Sequence, residues 1–146
     1  MITLGVHEGV VGGVQLAFLH HAEIFPKPYA DLGAASVTRQ LSVFAKACLE
    51  YCCKRGIIPS VCITNDWFTG MVAAYAKTGQ FGPTFNGTTF MHICHNLQET
   101  YEGRIYPEPK DGYFEPIHGL PKECLVDPSW AGCVINPSRC AIMMSD

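Results

Sequence analysis

Two short clusters in the sequence carry side chains that could do chemistry, Asn65-Asp66-Trp67 and His95-Asn96. Together they supply a carboxylate, two carboxamides, an imidazole and an indole. Such a set suits a sugar, because the polar groups hydrogen-bond hydroxyls while an aromatic face packs on the C–H surface of the ring. Each residue also has a plainer explanation. Asp66 alone is more simply read as a helix cap, and Trp67 as a core residue. A single histidine among apolar neighbours is usually a buried, hydrogen-bonded one, which covers His95 and, inside an apolar run, His92. What lifts the two clusters above that background is where the chain places them.

Ser60-Val61-Cys62-Ile63-Thr64 is short and β-branched, as a buried parallel strand is. It runs straight into Asn65-Asp66, which can cap a helix over about Trp67 to Lys77 that stops at Gly79. Thr88 to Cys94 reads as the next strand and leads into His95-Asn96. Strand, helix and strand make a βαβ unit with parallel strands, and ligands of such sheets bind beyond the carboxyl ends of the strands. Both clusters fall there.

Upstream, Val14 to Leu19 reads as a strand, and Phe25-Pro26-Lys27-Pro28-Tyr29 as a loop, since two prolines remove donors. From about Ser36 to Arg55, Val37, Leu41, Phe44, Cys48, Leu49 and Cys52 recur at helical spacing, and Gly56 supplies the stop. Tyr101 to Lys122 is too rich in Pro, Gly and aromatics for a long element. Pro137 to Met143 forms a short helix with Asn136 as its cap.

A chain of 146 residues with 48% hydrophobic content can bury one core. The net charge of −3, with Lys54-Arg55 as the one adjacent basic pair, argues against nucleic acid or an anionic membrane. No apolar run is long enough to span a bilayer and no secretory leader opens the chain, so an intracellular protein, cytoplasmic or plastid, is expected. The eight cysteines show no C-x-x-C pair, and His92-Ile93-Cys94-His95 lacks a second ligand pair, so free thiols and no metal are expected. No glycine-rich phosphate loop accompanies the clusters, so no nucleotide cofactor site is expected within these residues.

Val61 to Trp67 resembles the strand-to-helix turn of bacterial glycogen synthases and plant starch synthases, usually written with His-Asp-Trp. Phe90 to Leu97, followed by Tyr101-Glu102-Gly103, resembles their Val-Phe-Thr-Ile-His-Asn-Leu-Ala-Tyr-Gln-Gly segment. Gly13 to Leu19 with Pro28-Tyr29-Ala30-Asp31, then Ile117-His118-Gly119-Leu120, then Gly132 to Asp146, follow in the same order. Any one motif is weak, and the ordered series is specific. The sequence departs from the family at Asn65, where His is usual, and by two extra residues between Leu97 and Tyr101.

The resemblance implies an α/β fold: a partial Rossmann-like domain with parallel strands, from the N-terminal half of a two-domain GT-B glycosyltransferase. It implies one partial domain over residues 1–146, truncated at both ends, without the family's Lys-x-Gly-Gly-Leu loop or C-terminal domain. The implied reaction moves glucose from ADP-glucose or UDP-glucose, as substrate rather than cofactor, to the non-reducing end of an α-1,4-glucan with retention. His95 would then lie nearest the transferring sugar, and Tyr29, Asp66, Trp67 and Asn96 would bind substrate. The piece alone is expected to be inactive, and uncovered sheet surface is expected to favour self-association. A non-catalytic carbohydrate-binding or degenerate synthase-like module is the alternative, motivated by Asn65 and the longer loop.

Overall fold

The structure, a computed structural model, describes residues 2–27, 32–130 and 132–146, except for the side chain of Thr100. Two compact units divide the chain, Met1–Leu32 and Gly33–Asp146.

The first unit is an antiparallel hairpin, β1 (Gly5–Val11) and β2 (Val14–His20), with Gly5 opposite His20 and Val11 opposite Val14. Gly12 and Gly13 form the two-residue turn with φ of 57° and 82°. Positive φ at both positions matches the turn twist to that of the strands, and glycine adopts it without a β-carbon clash. Sequence reading finds β2 but not β1, and β2 pairs within this hairpin rather than in a parallel sheet. After β2, His21 Nδ1 accepts the main-chain N–H groups of Glu23 and Ile24 at 3.3 Å.

The second unit begins with α1 (Ala34–Arg55), whose buried Thr38, Leu41, Ser42, Ala45 and Leu49 repeat at helical spacing. Gly56 takes the left-handed conformation; its N–H donates to Cys53 and that of Ile57 to Cys52, closing the helix as expected. Strands β3 (Val61–Asn65) and β4 (Thr89–Ile93) are parallel, in register from Val61–Thr89 to Asn65–Ile93. The fold is thus mixed α/β with a parallel sheet.

Two local expectations change. The segment after β3 is not one helix: a 3₁₀ turn, Trp67–Thr69, precedes α2 (Val72–Lys77), and the Asp66 side chain caps neither. The strands also bury one face only. Phe90 and Thr64 point into the core, while Val61, Ile63, Met91 and Ile93 are exposed, Ile63 by 55%. Alternation puts successive side chains on opposite faces, and the covered face is the one bearing Thr64 and Phe90, with the Trp67–Thr69 turn packed on β3 and the C-terminal helix on β4.

The stretch read as irregular holds one short helix, α3 (Glu115–His118), and a second, α4 (Lys122–Leu125), starts at its end. Ile135 anchors it by bridging to both Ile105 and Val126. The last helix, α5 (Pro137–Met144), starts as expected, with Asn136 Oδ1 accepting the Arg139 N–H at 2.9 Å. Beyond it, Asp146 Oδ2 accepts the N–H of Phe90 at 2.8 Å, and Lys77 donates to Oδ1 at 2.8 Å.

The core centres on Leu41, Met71, Tyr75, Phe90, Leu120, Leu125 and Ile135. Tyr75 is fully buried, with its hydroxyl 2.7 Å from the His118 carbonyl and 2.8 Å from Ser42 Oγ. One phenolic proton serves one acceptor, so Tyr75 donates to His118 and Ser42 donates to Tyr75. Burial pushes the phenol far above its ordinary pKa, and it remains a neutral donor. Tyr75→Phe strands a buried carbonyl and is expected to cost about 1–3 kcal/mol in urea unfolding. An unchanged midpoint would show that neither bond matters. His118 itself is fully satisfied: Nδ1 accepts from Leu120 N–H at 2.9 Å and Nε2 donates to the Tyr113 carbonyl at 2.6 Å. Burial, the larger influence, holds its pKa below the usual value.

Candidate functional site

Parallel pairing in register brings the ends of β3 and β4 side by side, and the polar clusters follow from it. Asp66 N–H donates to the Ile93 carbonyl at 3.0 Å, continuing the ladder one step past the strand. Its carboxylate Oδ1 then accepts the main-chain N–H of His95 at 2.9 Å. Asp66 is therefore a clamp across the two strand ends and not a helix cap. Asn65 Oδ1 lies 3.1 Å from His95 Nε2, so the ring nitrogen donates to it. Asp66, His95 and Asn65 form one connected group.

The clamp holds an unusual backbone. Asp66 has φ 53° and ψ 179°, a region that side chains with a β-carbon rarely enter. Thr69 restrains it from the other side. Its hydroxyl reaches the carbonyls of Asn65 at 2.7 Å and Asp66 at 3.2 Å, and its N–H donates to Asp66 at 3.2 Å.

The structure treats the other candidates differently. His95 is exposed rather than buried, which removes the core-histidine reading for it. Trp67 is half-buried, edge-on to Phe68 with ring centres 5.6 Å apart, and covered by the backbone of Gly103. The Tyr101-Glu102-Gly103 segment thus still reaches Trp67 despite its longer loop. Asn96 is exposed at the strand end, and its Oδ1 accepts the N–H of Gln98 at 2.9 Å, closing a local turn. Tyr29, with Pro28, Ala30 and Asp31, lies outside the described residues.

Two flanking groups feel the Asp66 charge. His92 Nδ1 pairs with Thr64 Oγ1 at 2.8 Å, while its Nε2 is buried without a partner, so its bonding is half satisfied. Burial lowers its pKa, and the Asp66 charge opposes that shift. The Cys94 thiol is pushed up, first by desolvation and then by the same carboxylate. All eight cysteines are free, and among the described residues no three His, Cys, Asp or Glu side chains converge as a metal site requires. No helix among them is long and apolar enough to cross a membrane.

Sequence reasoning missed Thr69, and it named Gly103 within the family-like Tyr101-Glu102-Gly103 segment without its contact to Trp67. A threonine four residues after Asn65 was the available signal for the first, because a hydroxyl at that spacing can reach back to a carbonyl. Nothing local marks the contact of Gly103 with Trp67, because the two are distant in sequence.

Residues 1–146 match the family model described as the starch synthase catalytic domain. Among solved structures, the chain is similar to the catalytic domain of Starch Synthase IV from Arabidopsis thaliana bound to ADP and acarbose, with 24% identity and a TM-score of 0.72. That likeness covers 97% of this chain and 29% of the other, so the chain spans under a third of its length. At this identity it speaks for the fold. No curated protein sequence matches the chain.

Proposed function

This chain belongs to the starch synthase catalytic domain family, and we propose that it is part of a retaining glucosyltransferase acting on an α-1,4-glucan. The donor would be ADP-glucose or UDP-glucose, held mainly by a further domain of the same enzyme. The Asp66–His95 clamp at the ends of the two parallel strands carries the reading. A carboxylate fixed there, beside an exposed imidazole and a half-buried indole, offers acceptors, a donor and an apolar face to a sugar. The similar plant structure holds ADP and acarbose, which supports a nucleotide donor and a sugar site in this architecture.

In this proposal Asp66 holds sugar hydroxyls, Trp67 shapes the acceptor wall, and Asn96 and Tyr29 complete the binding surface. His95 orients the transferring glucose and stabilises positive charge developing at its anomeric carbon, through its main-chain carbonyl or its ring. Asn65 withholds proton chemistry from the position where relatives carry His, and fixes the His95 ring instead.

In the enzyme that carries this chain, His95→Ala is expected to lower incorporation of radiolabelled glucose into maltoheptaose by about 10²–10³-fold. The 146-residue chain alone should incorporate none. Unchanged incorporation in the variant would remove His95 from the reaction. The anchoring of the His95 ring by Asn65 favours one second reading, a non-catalytic glucan-binding domain. Its signature is weakened maltoheptaose binding by His95→Ala with no glucose incorporated by the unmutated enzyme.

A further inference from the structure

A second feature of the larger unit takes no part in the strand-end cluster. Trp130 and Tyr106 stand edge to face, ring centres 5.7 Å apart, and are exposed by 37% and 53%. Two large aromatics left in water side by side invite a ligand with a partly apolar surface. The guanidinium of Arg104 lies 4.9 Å over the indole and packs against it. Arg104 is held in turn by Glu102, 2.7 Å from its Nε.

Trp130 forms one wall of an open groove of about 660 Å³, within the roughly 300–1,000 Å³ of ligand pockets. None of Asn65, Asp66, Trp67, His95 or Asn96 lines it. Its polar lining carries both signs of charge, with Lys122 and Arg139 as donors and Glu123 and Asp127 as acceptors. Arg139 is pinned by its Nη1, which donates to the carbonyls of Glu123 at 3.4 Å and Val126 at 3.3 Å.

Asp127 is buried yet built to stay charged. Ser129 donates to its Oδ1 from both main chain, at 3.0 Å, and hydroxyl, and Asn136 donates to Oδ2 at 3.2 Å. Those bonds, that from the Ser129 hydroxyl first, hold its pKa below the ordinary carboxylate value. A carboxylate has about four lone-pair positions, so one remains for a hydroxyl in the groove.

An anionic ligand would be drawn to Lys122 and Arg139 but repelled by Glu123 and Asp127. A neutral ligand rich in hydroxyls uses donors and acceptors alike, and its C–H face matches an aromatic wall. We infer that the Trp130 groove is a second glucan-binding site, which holds a stretch of α-1,4-glucan apart from the strand-end cluster. The inference rests on the reading above that the ligand is a glucan. Binding at two points raises the effective concentration of chain ends near the site of transfer.

The chain contains two tryptophans, so its two indole N–H resonances report the two sites separately. Trp67→Phe and Trp130→Phe assign them in the ¹⁵N-labelled chain, which is then titrated with maltoheptaose and, separately, with ADP. Both indole signals are expected to shift saturably with maltoheptaose, along curves with different midpoints, and the Trp130 signal should ignore ADP. In His95→Ala the Trp130 curve should persist while the Trp67 curve moves to at least tenfold higher sugar.

A Trp130 signal that stays still with maltoheptaose overturns the second site, as does one that follows ADP. A Trp130 curve that coincides with that of Trp67 in the wild-type chain also overturns it, by making the two one continuous site. If Trp67 alone responds, the strand-end reading survives and the groove falls. A response of Trp130 alone has the opposite meaning, and silence from both removes both.

Discussion

Asp66→Gly is expected to be more stable than Asp66→Ala, by about 1 kcal/mol, the reverse of the ordinary order of these residues. Both substitutions delete the carboxylate and with it the bond to His95 N–H, so that loss cancels in the comparison. What differs is the backbone. At φ 53° and ψ 179° a β-carbon costs about 1–3 kcal/mol, and glycine escapes it. Against this, glycine leaves a freer unfolded chain, which favours alanine by about 0.4–1 kcal/mol. The strain is the larger of the two effects, so glycine comes out ahead. Relative to wild type, Asp66→Ala keeps the same backbone strain and loses a charge-assisted bond of about 1.5–3 kcal/mol, whereas Asp66→Gly loses that bond but sheds the strain. Urea unfolding of the three proteins measures both steps. Maltoheptaose affinity should fall about tenfold or more in both variants, so stability and binding separate in Asp66→Gly. An alanine variant as stable as the glycine one would mean that Asp66 stores no strain.

That strain has a visible structural reason. The Asp66 N–H continues the parallel ladder to Ile93, while its carboxylate must turn back to reach His95 N–H, and Thr69 holds the following carbonyl. Asp66 meets all three demands together at φ 53° and ψ 179°. Strain over-determined in this way collects at working sites, where geometry is held against relaxation.

The parts of this arrangement differ in how plainly the sequence announces them. Helix α1 is legible because Leu41, Ala45 and Leu49 repeat with the turn of a helix and Gly56 ends it. β3 and β4 are legible from their β-branched and apolar runs, and parallel pairing follows from the connection between them. The nearness of Asp66 to His95 was therefore available from topology. The clamp itself was not, because a cap and a clamp use the same residue type and differ only in the direction the backbone turns. β1 stayed hidden because Gly5, His7, Glu8 and Gly9 break its apolar alternation, although Gly12-Gly13 marked the turn. Its neighbours in the hairpin are largely exposed, so burial imposes no period on them. The bridges of Ile135 to Ile105 and Val126 join distant residues one at a time and leave no local pattern. The apolar residues Val61, Ile63, Met91 and Ile93 predict a strand buried on both faces, and the structure covers one.

Gly103→Ala is expected to drive a methyl into the base of the Trp67 side chain, costing about 3 kcal/mol. Two effects add. Gly103 has φ +67°, where an L side chain loses about 1–2 kcal/mol. Its β-carbon would also overlap Cβ, Cγ and Cδ2 of Trp67, the base of the side chain and not a tip that can swing aside. The indole has little room to retreat. It stands edge-on to Phe68 at 5.6 Å, and Phe68 stands edge-on to Phe44 of α1 at 5.2 Å. Forcing a methyl into such packing costs about 1–3 kcal/mol more. Gly56→Ala isolates the first effect: it has nearly the same φ, +66°, and nothing within 4 Å of its β-carbon. Urea unfolding should therefore place Gly56→Ala about 1–2 kcal/mol below wild type and Gly103→Ala clearly lower. Only Gly103→Ala should also weaken maltoheptaose binding, because the wedge moves the indole on which the proposed acceptor wall depends. Equal costs for the two alanines would show that the Trp67 contact yields freely, and the longer loop after Leu97 would then have no part in shaping the site.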